Sequence, residues 1–217
     1  MASLVGPEAA AHLRPTSRLR TARAGAVVVR EGQTDRPGVL LEGMLRTVVS
    51  LPDGRAATIH YPTPVQFFGL PTVFGPVPLS VHAVRNATYV ELDGQALRRV
   101  ARELPDFGWF LSRQLAAAVS RVPAIIEEFG FKTVSQRVAS HLINLSEPDA
   151  MAGGRTAHVT HAALAEYVGS AREVVSRCLR SFAEDGLVAM SHGSVRIIDE
   201  LELRQLAGES SDVSAAT

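Results

Sequence analysis

Two apolar helical stripes separated by a single glycine occupy residues 160–182, THAALAEYVGSAREVVSRCLRSF, and constrain the fold more than any other stretch. In the first, Ala163, Leu164, Tyr167 and Val168 share one face; Gly169 then supplies the backbone freedom that a tight turn between helices needs. In the second, Ala171, Val174, Val175, Cys178, Leu179 and Phe182 follow the spacing of a core-facing stripe. The opposite face carries Arg172, Glu173, Ser176, Arg177 and Arg180. Downstream, LVAMSHGSVRII places two apolar runs around Ser191-His192-Gly193-Ser194, a hairpin in outline. Helix, glycine turn, helix and hairpin together outline a winged helix-turn-helix. The charged face has two readings. Glu173 and Arg177 stand four apart and suit an ion pair on a solvated helix. Equally, an arginine fork fits the two major-groove acceptors of guanine, and a carboxylate accepts from the cytosine amino group.

The N-terminal half has another texture. After a short helical lead-in over residues 1–20, GAVVVREG, GVLLEG, MLRTVVSLPDG, RAATIHYP and ATYVELDG follow one another at short intervals. Asp53-Gly54 marks a hairpin, and strands so short and frequent predict an antiparallel barrel or roll. Residues 95–103 read as a helix, and Pro105-Asp106 opens a longer one. Along it Leu111, Leu115, Ala118, Val122, Ile125 and Phe129 form a heptad seam, suited to pairing with another chain or to packing on the roll. Pro123 lacks an amide donor and should loosen that helix. Residues 132–147 resume a helix, and Pro148–Thr156 reads as a loop. The expected α+β organisation is an antiparallel β-roll over 1–104, a long helix over 105–130, a winged helix-turn-helix unit over 131–207 and a disordered tail over 208–217.

Charge and cysteine content narrow the chemistry. Basic and acidic residues balance at 22 each, and Lys132 is the only lysine. Residues 156–200 hold four arginines against six acids, so nonspecific attraction to phosphate should be modest. Cys178 alone cannot form an intramolecular disulfide or an all-cysteine iron–sulfur site. The N-terminus has no basic start followed by an apolar run, and no apolar run reaches about 18 residues, so a cytoplasmic setting without a membrane partner is expected.

VTHAALAEYVGSAREVVSRCLRSFAEDGLV, above all GSAREVVSR, resembles the DNA-binding domain of the cyclic-AMP receptor protein / fumarate–nitrate regulator (CRP/FNR) family. The order of roll, long helix and winged domain extends the resemblance across the chain. It implies a cyclic-nucleotide-binding-like β-roll, a homodimer pairing through the long helix, and a transcriptional regulator rather than an enzyme. It implies double-stranded DNA as partner, read as an inverted repeat of TGTGA-like half-sites, with RNA polymerase a further partner for an activator. By this resemblance Arg172, Glu173 and Arg177 contact bases, and Thr160, His161, Ser170, Ser176 and Arg180 contact phosphates. Members that bind cyclic AMP carry polar groups where this chain has Leu70, Leu79, Val122 and Pro123, so cyclic AMP is disfavoured. What remains is an apolar pocket lined by Phe68, Leu70, Pro71, Leu79, Val122 and Ile126, for an unidentified effector or none. No cofactor or metal is expected; haem stays open through His12, His60 or His82. Outside the family, a cupin-like metal enzyme would need converging histidines, and His60 and His82 stand alone in the sequence. A regulator acting only through protein contacts would not need the arginine-rich face.

Overall fold

The computed structural model describes residues 2–50, 54, 56–149 and 154–208. Asp53 and the tail beyond Gly208 lie outside these. Two compact units emerge, residues 2–50 with 58–124, and residues 54 and 56–57 with 125–208.

The first unit opens with helices α1 (Ala2–Val5) and α2 (Pro7–Leu13) and a 3-10 turn (Arg14–Thr16). Strands β1 (Arg18–Ala22), β2 (Val27–Val29), β3 (Gly38–Glu42), β4 (Leu45–Ser50), β5 (Ala56–His60), β6 (Phe67–Phe68), β7 (Ser80–Ala83) and β8 (Ala87–Glu91) follow. They make two four-stranded sheets, ordered β1-β8-β3-β6 and β2-β7-β4-β5. Leu40, Phe68, Ala87 and Tyr89 from one sheet meet Val29, Leu45, Val81 and Ala83 from the other in a shared core. The end of the expected lead-in is corrected here: Arg18 and Arg20 lie in β1, paired with β8 from Arg18↔Glu91 to Ala22↔Ala87.

A second core joins α2, the sheet and two further helices, α3 (Gly94–Glu103) and α4 (Pro105–Val119). It contains Leu13, Val39, Leu70, Val73, Leu97, Val100, Phe107 and Leu111. Asp93 caps α3 by accepting from Ala96 N at 2.7 Å. The helical stretch after Pro105 continues as α5 (Val122–Gly130), with the interruption at Ser120-Arg121. Pro123 explains it: its ring clashes with the carbonyl four residues earlier, so one helix ends at Val119 and the next takes the proline into its first turn.

This packing divides the expected seam. Leu111 is 4% exposed in the second core and Leu115 packs against it. The large apolar residues standing out on α4 are instead Trp109 (69% exposed) and Val119 (68%). Heptad spacing alone could not separate these cases, because a helix lying on its own sheet repeats at nearly the same period.

The pocket positions are also corrected in part. Phe68 and Leu70 fill the two different cores, Pro71 and Leu79 are half-buried, and Val122 and Ile126 are exposed. The turn carrying Leu70 is tied down internally. Thr72 Oγ1 donates to Gly69 O at 2.7 Å and accepts from Arg36 N at 3.1 Å, while Asp35 N donates to Thr72 O at 3.0 Å. Arg98 pairs with Asp35 at 2.6 Å and also donates to Val73 O. Nearby, Val65 holds a left-handed φ of 68°, fixed between Val65 N→Leu40 O at 2.7 Å and Leu40 N→Gln66 O at 3.1 Å.

In the second unit α6 (Val134–Leu145) starts at a capping box, with Thr133 and Gln136 satisfying each other's backbone amides. The segment read as a loop carries two short strands at its ends, β9 (Ser146–Pro148) and β10 (Arg155–Ala157). Helices α7 (His161–Val168) and α8 (Arg172–Glu184), strands β11 (Val188–Ser191) and β12 (Ser194–Ile197), and helix α9 (Glu200–Leu206) complete the unit. The sheet order is β11-β12-β10-β9, so the expected hairpin, closed at Ser191↔Ser194, is two strands of a larger sheet. Lys132 bonds Glu128 Oε2 at 3.0 Å and Ser140 Oγ at 3.2 Å before α6 begins. Among the described residues no helix is long and apolar enough to cross a membrane.

Candidate nucleic-acid interface

Helices α7 and α8 are held by their apolar stripes. Leu164, Ala165 and Val168 of α7 and Val175, Leu179 and Phe182 of α8 are buried. Between the helices Gly169 adopts φ 65°, and Ser170 N donates to Ala165 O at 2.9 Å, closing α7 with a left-handed cap. This turn sets the angle of α8, and arginine chemistry from a neighbouring helix reinforces it. Arg137 on α6 donates to Val168 O at 3.2 Å and Lys132 O at 2.9 Å, and its guanidinium lies 5.6 Å from the Phe129 ring centre. No pattern in the sequence points to Arg137, because its role depends on where the end of another helix falls.

On the outer side of α8, Arg172, Glu173, Arg177 and Arg180 are exposed. None of them is held in an ion pair among the described residues, which decides against the Glu173–Arg177 pair. Long cationic side chains left without partners can meet base edges and phosphates. Ala171 precedes the helix without a side-chain cap, leaving first-turn amides open to an anion, which the helix dipole also favours.

The residues expected at phosphates behave differently from one another. Thr160 is exposed and caps α7, accepting from Ala163 N at 3.1 Å with its hydroxyl proton still free to donate. Ser170 is half-buried in the turn. His161 and Ser176 are joined: His161 Nδ1 lies 2.9 Å from Ser176 Oγ, linking the two helices. Cys178, expected in the core, is only half-buried; burial raises its thiol pKa, with a Ser135 hydrogen bond opposing. That keeps it protonated and unreactive.

Elsewhere, His60 is held down to about 4, mainly by burial and further by the Arg121 guanidinium, against a raising hydrogen bond from Gln66. His82 bonds Ser80 Oγ at 2.8 Å. Among the described residues no group of three or more His, Cys, Asp or Glu could hold a metal ion.

Comparison with known proteins places this geometry. Residues 136–206 match the Crp-like helix-turn-helix domain and residues 19–103 the cyclic nucleotide-binding domain. A CRP-like cAMP-activated global transcriptional regulator of Mycobacterium tuberculosis is 30% identical over 190 residues, covering 84% of this chain and 85% of that protein. A CRP/FNR-family transcriptional regulator of Thermus thermophilus superposes with a TM-score of 0.69 at 26% identity, over 88% of this chain and 98% of the other. A CRP/FNR-family structure from Eubacterium rectale reaches a TM-score of 0.80 at 21% identity, over 93% and 94%, and speaks for the fold alone. With this fold, this exposed helix and these relatives, the chain belongs to the CRP/FNR family of transcriptional regulators.

Proposed function

We propose that the chain regulates transcription as a homodimer that reads an inverted repeat with α8 and does so without cyclic AMP. The carrying observation is the outer face of α8, where Arg172, Glu173 and Arg177 are exposed and free of ion pairs among the described residues. Arg172 and Arg177 suit guanine acceptors, Glu173 suits a cytosine amino group, and Thr160, His161 and Arg180 carry donors suited to flanking phosphates. Two copies related by a two-fold axis would present two such helices to half-sites about one helical turn apart. The second copy is favoured by Trp109 and Val119, large apolar residues that a single chain leaves in water on α4.

Independence from cyclic AMP is supported by Leu70, which lies in the core of a turn whose Thr72 hydroxyl and Val73 carbonyl are already bonded internally. By the resemblance Leu70 stands at the ribose position and Leu79 at the phosphate position, and a cyclic phosphate facing Leu79 would lose its water without a charged partner, at a cost of several kcal/mol. The Mycobacterium tuberculosis relative is named as cAMP-activated; the residues of this chain favour another effector, or none. RNA polymerase is the natural further partner if the regulator activates. Selection of bound sites from random DNA, with and without cyclic AMP, tests both parts. Enrichment of a two-fold symmetric, TGTGA-like sequence is expected, with affinity unchanged by cyclic AMP. A tenfold gain with cyclic AMP would refute the second part, and no enrichment the first.

A further inference from the structure

We propose that a groove at the far end of α8 docks an arginine of a partner protein while the DNA-reading face stays free. The groove, of about 550 Å³, lies between the last turn of α8, the start of α6 and one side of α9, all within the C-terminal unit. Its floor is apolar: Phe182 and Leu187, both buried, and Leu206. Asp185 and Glu202 stand exposed in its walls. The apolar strip continues into water at the rim. Ile198, 52% exposed, is tied to the floor by Ile198 N→Leu187 O at 2.9 Å, and Leu201, 62% exposed, precedes the lining residue Gln205 by one helical turn.

An apolar strip between two carboxylates suits arginine above other side chains. Its methylene stem can lie along Leu187 and Leu206 while the guanidinium fork meets Asp185 or Glu202. The groove does not receive that cation from its own walls: no Lys, Arg or His lines it among the described residues. Arg204 on α9 is paired with Glu200 at 2.7 Å, and Lys132 is tied to Glu128 and Ser140. Residues 209–217, which follow α9, contain no basic residue, so the chain's own tail cannot be the occupant. Nucleic acid fits no better, because its phosphates would meet two carboxylates. Asp185 closes α8 13 residues after Arg172, about 20 Å along the helix. Ser181 and Asp185 continue the side of α8 that carries Val174 and Cys178, not the side of Arg172 and Arg177. A protein held there stays clear of the duplex, an inference that goes beyond the DNA-binding reading.

The test titrates the full chain, labelled with nitrogen-15, with a capped leucine–arginine–leucine peptide. A control peptide carries citrulline for arginine, which keeps the shape and removes the charge. Backbone amide shifts at Leu187, Gln205 and Leu206 should saturate with the arginine peptide and barely move with the control. Asp185→Asn and Glu202→Gln should each weaken peptide binding roughly two- to fivefold, the range of an exposed ion pair, and the double variant should lose more than either. Thermal unfolding and operator binding of these variants should stay close to wild type, and operator-bound protein should take the peptide as well as free protein does. No saturable shift, equal binding of the citrulline peptide, competition with operator, or unchanged affinity in both variants would overturn the proposal. So would loss of the dimer in Asp185→Asn, which would put a second copy in the groove. Failure of the DNA-binding reading looks different: no site would then be selected, while the titration of free protein would still answer for the groove.

Discussion

In the C-terminal unit Arg172, Glu173, Arg177 and Arg180 stand outside the core on α8, whereas in the N-terminal unit Leu70 and Phe68, at positions where a ligand pocket was expected, are packed inside it. The two regions handle polar groups in opposite ways. On α8 Arg172, Glu173, Arg177 and Arg180 are in no ion pair among the described residues, as a surface that must exchange water for DNA requires. In the Leu70 turn, Thr72, Asp35, Arg98 and the Val73 carbonyl satisfy one another. A site meant for an outside molecule keeps hydrogen-bonding capacity open, and a turn that has closed its own bonds is built to hold shape.

The contrast can be broken most forcefully at Leu70. Leu70→Glu places a carboxylate at that position but buries it in a core, so it should cost several kcal/mol of stability in denaturant titration. Tolerance of the change would mean that Leu70 faces an open pocket. Next in size is the pairing of two copies. Val119→Asp should convert dimer to monomer in sedimentation at micromolar concentration and weaken operator binding by a hundredfold or more, on the order of the gain from joining two half-sites. A dimer unchanged by it moves the interface off this face of α4.

Arg177→Ala should cost roughly 1–3 kcal/mol on the selected site and relax one base position. Equal loss on every sequence would make Arg177 a phosphate contact. A gentler probe is His60. Its pKa in the folded chain is about 4, below the unfolded value of 6.5, so the unfolded chain binds more protons between them. Stability that is complete above about pH 6.5 should therefore fall as pH drops towards 4, and His60→Gln should flatten that slope in thermal unfolding. Smallest is Val65→Gly. A β-branched residue at φ 68° carries strain of about 1–2 kcal/mol, partly offset by the extra freedom of glycine when unfolded, so Tm should rise by a few degrees.

Features that depend on local periodicity were legible in the sequence. The stripes of α7 and α8, the glycine turn and the hairpin at Ser191–Ser194 repeat residue types at fixed spacing, and the structure keeps them except at Ala171, an exposed residue before α8, and at Cys178, which is half-buried. Strands β6 and β7, of two and four residues, are too short to carry an alternation signal. Leu111 shows a different limit. Its heptad position was correct, yet periodicity names a buried face without naming what covers it. Ser176 and Arg137 depend on partners 15 and 31 residues away, a distance that no helical or strand pattern encodes.

Lys132 carries the only side-chain amine in a chain whose other basic charge is arginine, and that amine is engaged by Glu128 and Ser140. An amine-reactive dye therefore has one side chain to find. Its rate of attachment at constant pH reports how often this tie opens, which makes the residue a built-in gauge of motion just before α6. The same reaction followed with operator DNA added would tell whether occupying α8 tightens or loosens a contact that never touches the duplex.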